Sequence, residues 1–427
     1  MSSQDPTTND GPIGRPLLRR EDRRFLTGTA RYIDDLAVAG AMHARFVRSP
    51  HGHARIRAID TEAASAMPGV VQIATGQDLA QWTRPLRLAP AIEGLHPVTI
   101  ETLPTGKVRF HGDPVACVVA IDRAAADDAA EQVVVDYEPL PAVTDIAQAM
   151  AQGAPLLDET LPNNLVSHQS FSAGAPDAAF AAAHRVVEAR FVQHRQTHVP
   201  MEPRGCCAIW DTGREHLTMH VGTQVPHPYR TQLAARLGLS ESQVTVICPD
   251  IGGGFGQKIT LYREELTIAA LARVSGRPVR WREERGENLL AAAQAREQTA
   301  RVRAAVDANG AIKALALELV EDFGAYCFYP ANYLLKMVLT SLTGPYRITD
   351  CSVDLRVVLT NKCGAAPMRA PMSIASWVMD GTLEAIARAL SLDPIAVRRR
   401  NMLTAAELPW TMLAGPVLED VTPRETL

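Results

Sequence analysis

The chain has 427 residues, too many for a single ordinary hydrophobic core, so the sequence predicts at least two domains. Hydrophobic residues make up 47% and charged residues 21%, which is typical of a globular protein. The formal net charge of -4 argues against a nucleic-acid partner, since such binders normally carry a basic face. No run of roughly 18 apolar residues occurs, so no membrane span is expected.

The N-terminal segment is polar and lacks the apolar stretch that a secretory signal requires. We therefore expect residues 1–12 to form a disordered tail and the protein to be cytoplasmic. None of the seven cysteines belongs to a C-x-x-C pair. This pattern favours free thiols over a disulfide frame, a zinc site or an iron–sulfur site.

The first domain is predicted to span residues 13–150. Within it, VACVVAI predicts a buried strand, RAAADDAAEQ a helix and VVVDYEPL a second strand, which together form a small α/β unit. Hydrophobic periodicity is then lost and proline and asparagine accumulate, so residues 151–168 are predicted to be a linker.

The second domain is predicted to span residues 169–427. It opens with alternating β-like runs, followed by a helix that ends near Gly238 and a strand in ESQVTVICPD. After a glycine-rich loop, LYREELTIAALARVSG predicts an amphipathic helix that ends at Gly276. The DANG turn predicts a hairpin, and a pair of helices near the end is predicted to be split at Asp393–Pro394.

The glycine-rich loop lies in PDIGGGFGQK, residues 249–258, and resembles a phosphate-binding loop at first sight. A Walker loop needs G-x-x-x-x-G-K-S/T, but Gln257 precedes Lys258 and Ile259 replaces the hydroxyl residue. A dinucleotide fingerprint, G-x-G-x-x-G, fails because its third glycine falls on Gln257. The order of strand, glycines and helix can still present backbone N–H groups to an anion or oxo ligand. A purely structural loop remains the alternative.

Several segments, in order, resemble the molybdenum-cofactor-binding large subunit of the xanthine dehydrogenase / aldehyde oxidase / carbon monoxide dehydrogenase family. The most specific are GGGFGQK, GTQVPHPYR upstream of it and MRAP downstream, together with GDPVACVVA, VVVDYEPLPAV and ALSLDPIAVRRRNML. The resemblance implies an α+β fold in which an N-terminal α/β hammerhead domain precedes the first lobe of a molybdopterin-binding domain. It runs from about residue 13 to the last residue, and we expect the family's second lobe to be absent.

The resemblance implies that the glycine loop cradles the pterin. Gln224 aligns with a glutamine that hydrogen-bonds the apical oxo group of the molybdenum, and Arg369 with an arginine that contacts the cofactor, so both are predicted catalytic and cofactor-binding residues. The planar cation of Arg369 suits phosphate or pterin carbonyl oxygens. The metal would be held through the pterin rather than by protein ligands. The remaining predicted cofactor-binding residues are Gly253, Gly254, Phe255 and Gly256.

The implied reaction is hydroxylation of an aldehyde or N-heterocycle with oxygen taken from water. The implied cofactor is molybdopterin in its cytosine dinucleotide form, and electrons would leave through 2Fe–2S clusters to FAD. Because the cysteines of this chain cannot hold such clusters, the resemblance implies an iron–sulfur subunit and an FAD subunit as partners.

Departures from the family pattern bear on the substrate. Purine-oxidising members have a glutamate directly after the loop lysine, where this chain has Ile259, so xanthine is a poor candidate. Arg285 aligns with an arginine that holds purine substrates, and the alternative for it is a salt bridge to Glu284 or Glu287. The copper-binding cysteine of carbon monoxide dehydrogenases is replaced by Ala370, which argues against a molybdenum–copper site.

The missing second lobe would carry the glutamate that acts as general base. Glu264 and Glu265 lie on the helix after the loop and could substitute for an acidic pocket residue, but a solvated helix face or a helix-end charge pair is the favoured interpretation. We expect either that a second molybdenum-lobe chain completes the site or that the sequence is a truncated, non-catalytic remnant that acts only in subunit assembly. The isolated chain is predicted to be inactive.

Overall fold

The structure is a computed structural model that describes residues 14–86, 94–96, 98–328, 334–370 and 372–427. The tail predicted at residues 1–12 lies outside these ranges. Within them, no helix has both the length and the apolar character that crossing a membrane would need.

The strands that the structure describes alternate with short helices in the first third of the chain and become longer after it. They are β1 (Met42–Arg48), β2 (Ala54–Asp60), β3 (Val70–Thr75), β4 (Lys107–Val108), β5 (Pro114–Ala120), β6 (Val134–Pro139), β7 (Leu165–Ala173), β8 (Arg185–Gln196), β9 (Gly205–Asp211), β10 (His216–Val221), β11 (Val244–Ile247), β12 (Val279–Arg282), β13 (Ala295–Val306), β14 (Ile312–Asp322), β15 (Cys351–Val358), β16 (Trp410–Thr411) and β17 (Val417–Leu418).

The described α-helices range from single turns to the long helix α11. They are α1 (Asp22–Leu26), α2 (Glu62–Ser65), α3 (Gly76–Leu79), α4 (Arg123–Ala130), α5 (Ile146–Met150), α6 (Pro176–Ala181), α7 (Pro226–Leu237), α8 (Arg263–Ser275), α9 (Arg285–Ala291), α10 (Leu334–Ser341), α11 (Ser373–Leu390), α12 (Pro394–Asn401) and α13 (Pro423–Thr426).

Seven of the described strands form one sheet, in the order β11-β10-β9-β12-β1-β5-β3. This sheet combines strands from both predicted domains, because β1 pairs with β12 in parallel through Met42–Val279 and His43–Arg280. Strand β5 is buried along its whole length, as expected for the continuous apolar run VACVVA in a sheet covered on both faces. Helix α8 packs against β9 and β12.

A second sheet has the order β7-β15-β14-β13-β8. The predicted DANG hairpin is confirmed, since β13 and β14 pair antiparallel on either side of it. Helix α11 packs against β8 and β13. The first strand of this sheet, β7, begins at Leu165, inside the segment predicted to be a linker. The glycine loop follows β11 of the first sheet, and the segment with Arg369 leads from β15 of the second sheet into α11.

The helix boundaries follow the capping residues that the sequence predicts. Helix α7 ends at Gly238 and α8 ends at Gly276, and both glycines have a left-handed φ, 66° and 62°. The predicted pair of helices near the end is confirmed as α11 and α12. The side chain of Asp393 caps α12 by accepting the Ala396 N–H at 2.7 Å, and Pro394 occupies the first helical turn.

The solvated face predicted for Glu264 and Glu265 is wrong, because both side chains are buried in the first turn of α8. Arg204, only 1% exposed, donates Nη2 to Glu264 at 3.1 Å and Nε to Glu283 at 2.9 Å. Burial alone would raise the pKa of Glu264, but the charges of Arg204 and Arg48 lower it to about 2. Glu264 therefore belongs to an internal ion cluster with Arg204 and Glu283, whereas Glu265 accepts the Tyr262 N–H at 3.1 Å and burial raises its pKa to about 7.

Replacing Arg204 with Met should lower the free energy of unfolding by about 3–5 kcal/mol, because Glu283 would stay buried without its cation and Glu264 would keep only Arg48. The thermal unfolding midpoint of the full chain measures the effect. The control is Arg301→Met, since Arg301 is exposed on β13 and its loss should change stability by less than about 0.5 kcal/mol. Equal midpoints for the two variants would contradict a stabilising role of the cluster.

Candidate cofactor-binding site

The two ends of the glycine loop are tied together by a buried ion pair. Lys258 is 2% exposed, and its Nζ lies 2.6 Å from Oε2 of Glu202, which also accepts the Gly252 N–H at 2.9 Å. The Glu202 N–H donates in turn to the Gly252 carbonyl at 3.0 Å. Burial lowers the pKa of Lys258, and the charge of Glu202 opposes that shift. Lys258 therefore points inward and holds the loop instead of facing a phosphate.

The backbone between these ends adopts left-handed conformations. Gly253, Phe255 and Gly256 have φ values of 96°, 53° and 107°. The N–H groups of Gly253, Gly254 and Phe255 donate to no acceptor in the part of the chain that the structure describes. The Phe255 side chain beside them is 41% exposed. Successive free N–H groups in such a turn form a concave site that suits an anion or an oxo ligand.

Gln224 lies directly on this loop. Its Oε1 accepts the Gly256 N–H at 2.9 Å, and its own backbone N–H donates to the Lys258 carbonyl at 2.9 Å. A side chain at position 254 would place its Cβ 2.6 Å from Oε1 of Gln224, so the close approach requires Gly254. Because Oε1 already accepts a hydrogen bond, the other polar atom of this side chain is the amide nitrogen Nε2, which has no hydrogen-bond partner among the described residues. Gln224 thus adds a side-chain donor to the backbone donors.

Arg369 reaches the same loop from the other sheet. Its N–H donates to the Phe255 carbonyl at 2.8 Å, and its guanidinium carbon lies 5.3 Å from the centre of the Phe255 ring. Its φ of 52° is left-handed, which is uncommon for a residue with a Cβ. A Cβ at Gly256 would overlap the Pro367 carbonyl oxygen, so this glycine lets the two segments touch. The structure therefore brings together the predicted residues Gln224, Gly253, Gly254, Phe255, Gly256 and Arg369.

Ile259 and Arg285, the two weaker candidates for the substrate pocket, lie on either side of the Glu202–Lys258 ion pair. Ile259 is half-buried and ends the short turn Gln257–Ile259 that begins the exit from the loop. Arg285 donates Nη2 to the Met201 carbonyl and Nη1 to Oδ1 of Asn288, each at 3.1 Å. Within the described ranges it forms no ion pair, so the alternative of a salt bridge to a neighbouring glutamate of its helix is wrong.

Glu202 is the structural member of the site that the sequence did not reveal as such. A carboxylate 56 positions before Lys258 carries no local signal of pairing with it. Alignment of many homologues, in which the two positions change together, is the kind of signal that would have found the pair.

Family models match most of the chain. Residues 157–402 match the molybdopterin cofactor-binding domain, and residues 27–141 match the a/b hammerhead domain of aldehyde oxidase and xanthine dehydrogenase. The chain belongs to the molybdenum-binding large subunits of the xanthine dehydrogenase / aldehyde oxidase / carbon monoxide dehydrogenase family. The predicted resemblance and the predicted fold, a hammerhead domain followed by a molybdopterin-binding domain, are confirmed.

Similar proteins include longer chains and one of comparable length. The nicotine 6-hydroxylase large subunit of Paenarthrobacter nicotinovorans is 36% identical over 97% of this chain and 51% of its own. The solved structure of quinoline 2-oxidoreductase from Pseudomonas putida 86 matches with a TM-score of 0.92 and 37% identity, over 96% of this chain and 52% of that one. The nicotinate dehydrogenase large molybdopterin subunit of Eubacterium barkeri is 28% identical over 96% of this chain and 92% of its own. The chain thus spans about half the length of the first two.

The groups gathered at the loop fit a molybdenum cofactor. Three backbone N–H groups and the Gln224 Nε2 are donors without acceptors in the described structure, and Arg369 adds a cation. Oxo and phosphate oxygens accept from donors of this kind, and charge-assisted bonds to them are the strong ones. The donor set is therefore chemically matched to the oxygen atoms of such a cofactor.

Replacing Gly256 with Ala should separate the loop from the arginine segment. Its φ of 107° has a match in Gly415, whose φ is 103° and whose surroundings are open, so Gly415→Ala is the control for backbone strain alone. Since only Gly256→Ala must also displace the Pro367 carbonyl, it should destabilise by about 1–3 kcal/mol more. Thermal unfolding of both variants provides the comparison, and equal losses would show that the close approach contributes nothing to stability.

Proposed function

We propose that this chain is the part of a molybdenum hydroxylase that holds the cofactor through the glycine loop, in an enzyme that oxidises an N-heterocycle or an aldehyde with water-derived oxygen. The observation that carries the proposal is the convergence of three open N–H groups, the Gln224 amide and Arg369 on one turn. Relatives named for nicotine and for quinoline support an N-heterocyclic substrate over an aldehyde.

The proposed roles follow from the chemistry of each group. The N–H groups of Gly253 to Phe255 and the Gln224 Nε2 hold the oxo and pterin oxygens, and Arg369 holds a phosphate or pterin carbonyl oxygen. The cofactor, proposed to be the cytosine dinucleotide form of molybdopterin, supplies two-electron oxidation with transfer of an oxygen that originates in water. The half-exposed Phe255 ring would pack beside the cofactor and exclude water from one side of it.

The proposed substrate pocket is not built for a purine. Ile259 offers an apolar side chain at the position after the inward-turned Lys258, so it cannot donate to or accept from a ring nitrogen. Arg285 donates a hydrogen bond to the Met201 carbonyl, next to Glu202 of the ion pair that closes the loop. That contact supports an anchoring role for Arg285 over the recognition of substrate.

The proposed enzyme is an assembly of several chains in the cytoplasm. A second molybdenum-lobe chain supplies the general base, an iron–sulfur subunit carries 2Fe–2S clusters, and a further subunit carries FAD. The Eubacterium barkeri relative, matched over 92% of its own length, is named a large molybdopterin subunit, which supports a subunit of this size. The isolated chain is then inactive, because the proposed electron carriers, the 2Fe–2S clusters and FAD, lie on other subunits.

Purification of the tagged chain from its own host tests the assembly. Metal analysis should find molybdenum in proportion to the chain, acid hydrolysis should release a cytosine nucleotide, and mass spectrometry should identify the co-purifying chains. A lone chain without molybdenum, from cells whose other molybdenum enzymes are loaded, would contradict the proposal and favour the assembly-only alternative.

Gln224→Ala should lower kcat of the assembled enzyme by roughly 10–100-fold with the fold intact, because a hydrogen bond to a charged group contributes about 1.5–3 kcal/mol. Steady-state kinetics with nicotine, quinoline and benzaldehyde as probes measure the loss on whichever is turned over. Gln148→Ala is the control, since Gln148 is exposed on α5 in the first domain. Kinetics that match the control would remove Gln224 from the site.

A further inference from the structure

The segment that precedes Arg369 is held by two side chains, one from the loop that follows β8 and one from β13. Nε2 of His198 lies 2.8 Å from the Pro367 carbonyl oxygen, and Nη2 of Arg296 donates to the Met368 carbonyl at 3.2 Å. Together with the Arg369 N–H, which is bonded to the loop, three successive residues are fixed by groups from outside the segment. We propose that His198 and Arg296 are positioning residues that set Arg369 against the glycine loop, an inference that rests on the proposed function of Arg369.

Backbone strain is concentrated around this contact. Left-handed φ values in residues other than glycine cost free energy and persist where the surroundings hold them, often at functional sites. One of them, Val199, is β-branched, for which such a φ is an outlier. The five strained residues that adjoin the contact are Val199 (41°), Phe255 (53°), Arg296 (70°), Glu297 (71°) and Arg369 (52°).

The strain at Arg296 is local. Strands β8 and β13 pair in one constant register on both sides of Glu297, and only that position is skipped. The sheet thus continues undisturbed while residues 296–297 turn away from extended geometry. A strand that needed only to complete the sheet would have no reason for this turn. It places the guanidinium of Arg296 on the carbonyl before Arg369.

His198 is buried and Arg296 is half-buried, and each side chain has one enclosed polar atom that is unsatisfied. Nδ1 of His198 and Nη1 of Arg296 have no hydrogen-bond partner among the described residues. Burial lowers the pKa of His198, which favours the neutral ring, and the Nε2 proton then points to Pro367. An unsatisfied buried polar atom is unfavourable, so apolar side chains would fill these places at less cost if packing were the whole requirement.

Amide hydrogen exchange on the full chain tests the inference without any cofactor. His198→Leu and Arg296→Met each remove a donor and should speed exchange of the Arg369 N–H about tenfold or more, because its bond to Phe255 opens more often. His198→Gln and Arg296→Lys keep a donor and should exchange within about threefold of the parent chain. Matched controls are the exposed His194→Leu on β8, the strand that leads to His198, and the exposed Arg301→Met on β13.

The assembled enzyme gives an independent measure. The two donor-deleting variants should lower kcat more than they raise KM, by about tenfold or more, and should release molybdenum faster on dilution. The donor-keeping variants should recover most of the kcat and most of the retention of molybdenum. Thermal midpoints measured alongside separate this effect from unfolding, and where one deletion variant fails to fold, the other still decides.

The outcomes distinguish the two proposals. Parent-like exchange at Arg369 in both deletion variants, or the same change in the His194 and Arg301 controls, would overturn the positioning role. An assembled parent enzyme without molybdenum would overturn the proposed function, while the exchange result would still decide whether His198 and Arg296 hold the segment.

Discussion

A backbone hydrogen bond, from the Arg369 N–H to the Phe255 carbonyl, joins the two halves of the site. The loop with Phe255 follows a strand of the seven-stranded sheet, and the segment with Arg369 follows a strand of the five-stranded sheet. Both residues have a left-handed φ, which costs free energy. The bond therefore forms only where neighbouring contacts hold each backbone in that conformation. The structure supplies those supports on both sides.

On the loop side, the supports are the buried pair of Glu202 and Lys258 and the amide of Gln224. They fix the loop at its ends and at Gly256, and they leave the N–H groups between these points open. Donors that are held in position before a ligand arrives need no reorganisation to bind it, which is the physical advantage of such a site. The ion cluster under α8 serves the same end, because α8 begins only a few residues after the loop.

Local signals in the sequence determine the elements, and the resemblance supplies the site. Gly238, Gly276 and Asp393 mark helix ends through conformations and caps that need no distant partner. The roles proposed for Gln224 and Arg369 came from the family pattern, since neither residue is distinctive alone. What the sequence could not show depends on contacts between distant positions. Helix α8 looks amphipathic, yet its charged first turn is buried against arginines that lie far away along the chain.

The seven-stranded sheet joins strands of the hammerhead region to strands of the molybdopterin-binding region. Strand β1 lies between β12 and β5, and its Phe46 packs edge to face on Trp281 of β12, with ring centres 5.4 Å apart. Expressed alone, either region would present an unpaired strand edge, which is a template for wrong association. Chimeras that exchange one region between homologous enzymes must therefore preserve the pairing of β1 with β12. A domain boundary taken from sequence families alone is a poor junction for such a chimera.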